Sequence, residues 1–128
     1  MANIHPFFSG IDVNNASSWT LEFLTNNVIS TTTSLTPKPE IIISEGSLDF
    51  FPGLMVVGWP SGGGSVNSSV AGISEMQYFL NHFLSDAKNA NVSYYYFEGY
   101  DEPWKVIYNT ATAQYEDKWV CYSLRKLT

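Results

Sequence analysis

Two stretches of the chain bring together residue types that could do chemistry. "VSYYYFEGYDEPWK", Val92 to Lys105, interleaves aromatic rings with the carboxyl groups of Glu98, Asp101 and Glu102 and ends on Trp104 and Lys105. "PEIIISEG", Pro39 to Gly46, is a β-branched run that finishes on the carboxylate of Glu45 and leads, through a second apolar run, to "GWPSGGG" at Gly58. Aromatic faces stack on the apolar side of a sugar ring, while carboxylates and indole N–H groups meet its hydroxyls. The first stretch supplies both kinds of group and fits a neutral, hydroxyl-rich ligand. Plainer readings stand beside this one. Asp101 and Glu102 also fit a solvated turn closing on Lys105, Glu45 an ordinary strand end, and Trp59 a core position. Tyr95, Phe97, Trp19 and Trp119 read as core or interface.

Other chemistries find little support. The glycines after Trp59 are not followed by the Lys-Ser/Thr that a phosphate loop needs. His82 lies mid-helix without a Cys or second His at ligand spacing, so no metal site is expected, and no cofactor motif is present. Cys121 is the single cysteine, which excludes an internal disulfide, leaves an intermolecular one open and reads more readily as a buried thiol. A net charge of −6 disfavours nucleic acid and anionic lipid as partners. No run of 18 apolar residues predicts membrane insertion, and "MANIHPFFSG" lacks the pattern of a secretory leader, so a soluble protein is expected. "NAS" at Asn15, "NSS" at Asn67 and "NVS" at Asn91 are glycan acceptor triplets that matter only on a secretory route.

The elements that must position these groups alternate between strand and helix. At 128 residues the chain is expected to form one domain, residues 1–128, able to bury roughly two-thirds of its unfolded surface. Its 16% aromatic content suggests sheets and stacking surfaces. "ANIHPFFS" reads as a short strand. Asp12 or Asn15 caps a helix carrying Trp19, Phe23, Leu24 and Val28 near helical spacing. "EIIISE" and "LMVVGW" read as neighbouring antiparallel strands. "PSGGGS" reads as a flexible loop, and "GISEMQYFLNHFLSDAKNA" as an amphipathic helix capped by Ser74 with Met76, Phe79, Leu80, Phe83 and Leu84 on its apolar stripe. "VSYYYFEGY" and "KWVCYSL" close the chain as strands. The predicted class is α/β, with a small mixed or largely antiparallel sheet of about five strands flanked by helices.

"ANIHPFF", "EIIISE", "GWPSGGG", "YYYFEGYDEPWK" and "YEDKW" occur in the order, and nearly at the spacing, of the C-terminal part of fungal glycoside hydrolase family 17, the β-1,3-glucanases, which this chain resembles over almost its whole length. The resemblance implies a remnant of a (β/α)₈ barrel, whose active sites lie at the C-terminal strand ends. "ANIHPFF" then resembles the sixth strand, "EIIISE" the seventh and "YYYFEGYDE" the eighth. The first five have no counterpart here. Retaining glycosidases need two carboxyl groups about 5–5.5 Å apart. By resemblance Glu45 matches the nucleophile, whereas the acid/base strand is missing. The family pattern also runs "ISE-x-GWPS", and here twelve residues, Gly46 to Val57, stand in place of one.

The resemblance therefore implies a lectin, similar to a small mushroom lectin truncated from such a hydrolase, in which sugar subsites persist without catalysis. The expected glycan-binding set is His5, Phe8, Glu45, Trp59, Tyr96, Glu98, Asp101, Glu102, Trp104 and Lys105. Glycans are the expected partners, as oligosaccharides or glycoproteins. A barrel fragment has open edges, so the sheet is expected to continue across a homodimer through edge strands, with Trp119 to Leu124 or the inserted strand as the edge. The alternative is a residual or split β-1,3-glucanase that uses Glu45 as nucleophile.

Overall fold

The computed structural model describes residues 2–33, 55–99 and 102–119. Helix α1, Val13–Phe23, begins where the sequence supplies a cap. The Asp12 carboxylate accepts from the backbone and side-chain nitrogens of Asn14 at 2.9 and 2.7 Å, satisfying a donor that the first turn leaves open. That backbone hydrogen bond, reinforced by the side-chain one, holds the Asp12 carboxyl below its ordinary value. The helix runs on through a wider π-type segment, Leu24–Ile29, into a last turn, α2, Ser30–Thr33. Of the four apolar positions expected on its inner stripe, Leu24 is buried, Trp19 and Val28 are half-buried, and Phe23 is exposed.

Strands β1 (Ala2–Asn3), β2 (Met55–Val57), β3 (Ser65–Val66), β4 (Ser69–Val70) and β5 (Tyr94–Tyr96) fall into two sheets. The larger is three-stranded, in the order β1-β2-β5, and parallel throughout. β3 and β4 form a separate antiparallel hairpin. Helix α3, Ile73–Asn89, returns the chain from β2 to β5, as parallel pairing demands. The fold is thus mixed α/β, but the described residues hold a three-stranded parallel sheet and a separate antiparallel hairpin rather than one mixed or largely antiparallel sheet of about five strands.

Two further expectations change. β2 pairs in parallel with both neighbours, Met55 and Val56 opposite Ala2 and Asn3 on one side, and Met55, Val56 and Val57 opposite Tyr94, Tyr95 and Tyr96 on the other. It therefore fills the central slot of the sheet rather than folding back as an antiparallel addition. "EIIISE", including Glu45, lies outside the described residues. The last expected strand is described only to Trp119, where the chain is not in a strand, and Cys121 lies beyond. The expected cap of α3 also moves: Gly72 holds the cap position, and the Ser74 hydroxyl instead donates to the Glu75 carboxylate at 2.9 Å. Glu75 then places negative charge in the first turn, where the helix dipole favours it.

The core sits between α3, α1 and the sheet. Trp59, Phe7, Phe79, Phe83 and Val57 are fully buried. Met76, Phe79, Phe83 and Ala87 share the inner stripe of α3, while Leu80 is half-buried and Leu84 exposed. Trp59 packs on Phe79 at 5.5 Å and meets Phe7 edge-on at 5.4 Å, and Phe83 meets Tyr94 at 5.0 Å. Burial of each large apolar side chain stabilises the fold by about 1.5–3 kcal/mol. A hydrogen bond from the Ser17 hydroxyl to the Asp86 carboxylate, 2.6 Å long, fixes α1 against α3.

Candidate functional site

Parallel pairing sends the C-terminal ends of β1, β2 and β5 to the same end of the sheet, so the segments following them must meet there. After β2, Gly58 is required by close approach: a Cβ at this position would lie 2.3 Å from the Phe97 carbonyl oxygen and 3.2 Å from the Trp119 ring. The space it leaves lets the Phe97 N–H donate to the Val57 carbonyl at 2.7 Å and the Glu98 N–H to the Trp119 carbonyl at 2.9 Å. Gly63, at φ 103°, has its own constraint. A Cβ there would fall 1.9 Å from the Gln114 carbonyl oxygen, and the Gly63 carbonyl accepts from the Gln114 N–H at 2.8 Å. Rather than a flexible loop, the glycine run is a segment clamped against residues 112–118.

Glu98 is thereby anchored by its backbone at the strand end. Its carboxylate is 3.3 Å from the Lys105 ammonium, which also pairs with Glu102 across one turn of the 3₁₀ helix Pro103–Tyr108. The same ammonium lies 4.4 Å above the Phe97 ring and 5.6 Å from that of Trp104, a cation–π arrangement on two rings. Burial pushes the Glu98 carboxyl above its ordinary value, with Lys105 opposing and Glu102 adding to the rise. Burial alone would lower the Lys105 ammonium. Hydrogen bonds to Glu102 and Glu98, with their charges, outweigh that and hold it above its ordinary value. Two carboxylates around one cation leave the cluster net negative, with Trp104 beside it 56% exposed.

The second half of the site is aromatic. His5 meets Phe8, Phe97 and Trp119 edge-on at 5.9, 6.4 and 5.5 Å. Burial among these rings lowers its pKa, and its Nδ1 has no hydrogen-bond partner among the described residues. Phe8 is half-exposed and lies against Tyr115 and Trp119 at 5.8 and 5.2 Å. Phe97 touches both halves and joins them into one surface.

Of the expected site residues, the structure brings His5, Phe8, Tyr96, Glu98, Glu102, Trp104 and Lys105 to this end of the sheet. Tyr96 is half-buried at the end of β5 and packs against the core. Glu45 and Asp101 lie outside the described residues. Trp59 is a correction: it is 0% exposed, and its indole N–H donates to the Val70 carbonyl at 2.9 Å, so neither ring face is open to a sugar. Residue typing missed Phe97 and Trp119, which it assigned to core or interface. Trp119 is indeed buried, yet its carbonyl and ring set Glu98 and His5 in place, a long-range pairing for which "DKW" carries no local signal.

β2 in the central slot ends two residues after Met55, and counted back from Gly58 the "E-x-GW" spacing that the resemblance supplies falls on Val56, whereas the resemblance by strand motif falls on Glu45, outside the described residues. Among the described residues no group of three or more His, Cys, Asp or Glu side chains could hold a metal ion, and no described helix is long and apolar enough to cross a membrane.

Parallel strands joined by helices, with an acidic, aromatic surface at the strand ends, have the layout of part of a β/α barrel. Residues 1–119 match the family model described as the BtgE/BtgC glycoside hydrolase domain, and the chain belongs to that family. It is 41% identical over 130 residues to a probable glucan endo-1,3-beta-glucosidase btgC of Aspergillus terreus. To the glucan endo-1,3-beta-glucosidase btgC of Emericella nidulans it is 36% identical. The matches cover 93% of this chain but 18% of either relative. Among solved structures it resembles an active-site mutant of Rhizomucor miehei beta-1,3-glucanosyltransferase in complex with laminaritriose, with a TM-score of 0.70 and 23% identity over 96% of this chain and 38% of that one. An endo-laminarinase from Formosa matches with a TM-score of 0.64 and 18% identity, over 94% and 34% of the two chains. Both likenesses bear on the fold: the described part corresponds to a barrel segment without closure.

Proposed function

We propose that this chain is a carbohydrate-binding protein that holds neutral glycans of the β-glucan class at the strand ends without cutting them. The observation that carries the reading is the exposed Trp104 face beside the hydrogen-bonding cluster of Glu98, Glu102 and Lys105. An indole stacks on the apolar face of a sugar, and the half-buried charges meet its hydroxyls. Absence of cleavage is supported by Val56, an aliphatic residue at the central-strand position on which the "E-x-GW" spacing, counted back from Gly58, falls. In the described cluster both carboxylates, Glu98 and Glu102, are engaged by one ammonium.

A second reading, a residual or split β-1,3-glucanase, is favoured by the family itself and by the open sheet: within the described residues β1 and β5 are edge strands. A barrel completed by another chain would pair with those edges, and so would a second copy in a homodimer. Sedimentation separates these arrangements, because the homodimer gives twice the monomer mass for the purified chain alone.

The testing experiment is titration of the protein with laminari-oligosaccharides, followed by product analysis. Saturable binding that weakens tenfold or more in Trp104→Ala, with the sugar recovered intact, supports the binding-protein reading; equal affinity in the variant and the parent chain rejects the site.

A further inference from the structure

Three Asn-X-Ser triplets lie in the described residues, and the fold presents them differently. Asn15 is inside α1, and the hydroxyl of its Ser17 is buried and bonded to Asp86 at 2.6 Å. Asn67 stands in the β3–β4 turn with its side chain against the neighbouring loop: a Cβ on Gly10 would lie 2.7 Å from its Nδ2. The hydroxyl of its Ser69 is fully buried and donates to the Ile11 carbonyl at 2.6 Å. In both triplets the hydroxyl is committed to the core.

Asn91 differs on each count. It is the residue just past the end of α3, at φ 52°, where the Asn91 N–H donates to the Lys88 carbonyl at 3.1 Å and the Val92 N–H to the Ala87 carbonyl at 2.9 Å. These two bonds make the helix-closing motif in which a left-handed residue, Gly or Asn, follows the last helical turn. Backbone groups alone satisfy the motif; Asn91 is exposed, and its side chain has no hydrogen bond among the described residues. Ser93 is exposed as well.

Position along the fold matters equally. Asn15 and Asn67 follow the C-terminal ends of β1 and β2, on the end that carries the candidate site. Asn91 precedes β5 and lies at the opposite end. The 17 residues of α3 at about 1.5 Å each span roughly 25 Å between the two ends.

We infer that Asn91 is the N-glycan acceptor of the folded domain, and that a sugar attached there leaves the strand-end cleft open. In the reaction the Asn91 Nδ2 attacks C1 of the first sugar of a polyprenyl-diphosphate-linked oligosaccharide. A C–N bond forms, the C1–O bond to phosphate breaks, polyprenyl diphosphate leaves, and the amide nitrogen gives up one proton to base. Attachment at Asn91 is independent of the proposed sugar-binding activity; only the statement about the open cleft rests on it.

The test is incubation of the purified, folded chain with a single-subunit oligosaccharyltransferase and a lipid-linked oligosaccharide, with glycopeptides read by mass spectrometry. One glycan on Asn91, lost in Ser93→Ala while the thermal midpoint of that variant is unchanged, is the expected result. An unmodified Asn91, or preferential occupancy of Asn15 or Asn67, overturns the assignment. The glycosylated chain is then titrated with laminari-oligosaccharides beside the unmodified one. Equal affinities support the open cleft, and loss of binding only on glycosylation overturns it. If the unmodified chain itself fails to bind, the binding-protein reading fails and the acceptor assignment stands on the mass data.

Discussion

The face packed under α3 and the surface beyond the end of β5 are built by different rules. Around α3, one face is packed to exclusion: Trp59, Phe79 and Phe83 are fully buried and fix one another in an aromatic stack. At the strand ends, along Pro103–Tyr108, aromatic and aliphatic side chains remain open, with Trp104 56% and Ile107 73% exposed, beside charges held half-buried by one lysine. The packed region gains stability from every side chain in it. The open region keeps apolar surface in water, and burial holds its Glu98 carboxyl above the ordinary value while pairing with Glu102 and Glu98 holds Lys105 in its charged form.

That contrast sets the expected size of perturbations. Phe79→Ala removes a fully buried ring and is expected to cost about 3–5 kcal/mol of unfolding free energy, read by denaturant titration. A loss under about 1 kcal/mol would mean that the aromatic stack is not the core. Trp104→Ala should do the reverse. Its effect on stability is expected to stay within about 0.5 kcal/mol, while glycan affinity falls at least about tenfold, near 1.4 kcal/mol. Ser17→Ala cuts the hydrogen bond between α1 and α3 and leaves the Asp86 carboxylate without it, for an expected loss of about 1–3 kcal/mol with no change in sugar affinity.

The smallest effect is a pH dependence. Burial sets the folded pKa of His5 below its ordinary 6.5, so the unfolded chain binds more protons and stability falls as the pH drops below that value toward the folded pKa. His5→Phe should flatten this slope in a series of thermal midpoints from about pH 7 down to 5. Glu98 has the opposite sign. Its raised pKa contributes stability that is full below its ordinary 4.5 and is lost as the pH rises through the folded value, a slope that Glu98→Gln should remove.

Much of the packed region is legible in the sequence, because helix rules are local. Asp12, one of the two expected caps, marks the start of α1, and the spacing of Met76, Phe79 and Phe83 marks the inner stripe of α3, though Leu80 and Leu84, expected on it too, lie half-buried and exposed. Strand pairing is not local. "EIIISE" and "LMVVGW" both carry β-branched apolar runs, and periodicity cannot say which one lies between β1 and β5; the choice depends on neighbours far away in the chain. The same reason hid the burial of Trp59. An indole between glycine and proline can face a ligand or the core, and the deciding partner is the Val70 carbonyl eleven residues on. The strand-end surface was legible in its residue types but not in its geometry. One ammonium joining Glu98, Glu102, Phe97 and Trp104 needs both the sheet and the 3₁₀ turn.

Binding without cutting is decided by incubating the chain with a laminari-oligosaccharide at a concentration that saturates binding and counting reducing ends over time. Saturable binding and a constant count are expected, in the parent chain and in Glu45→Gln alike. A rising count that Glu45→Gln abolishes would contradict it and establish a glucanase.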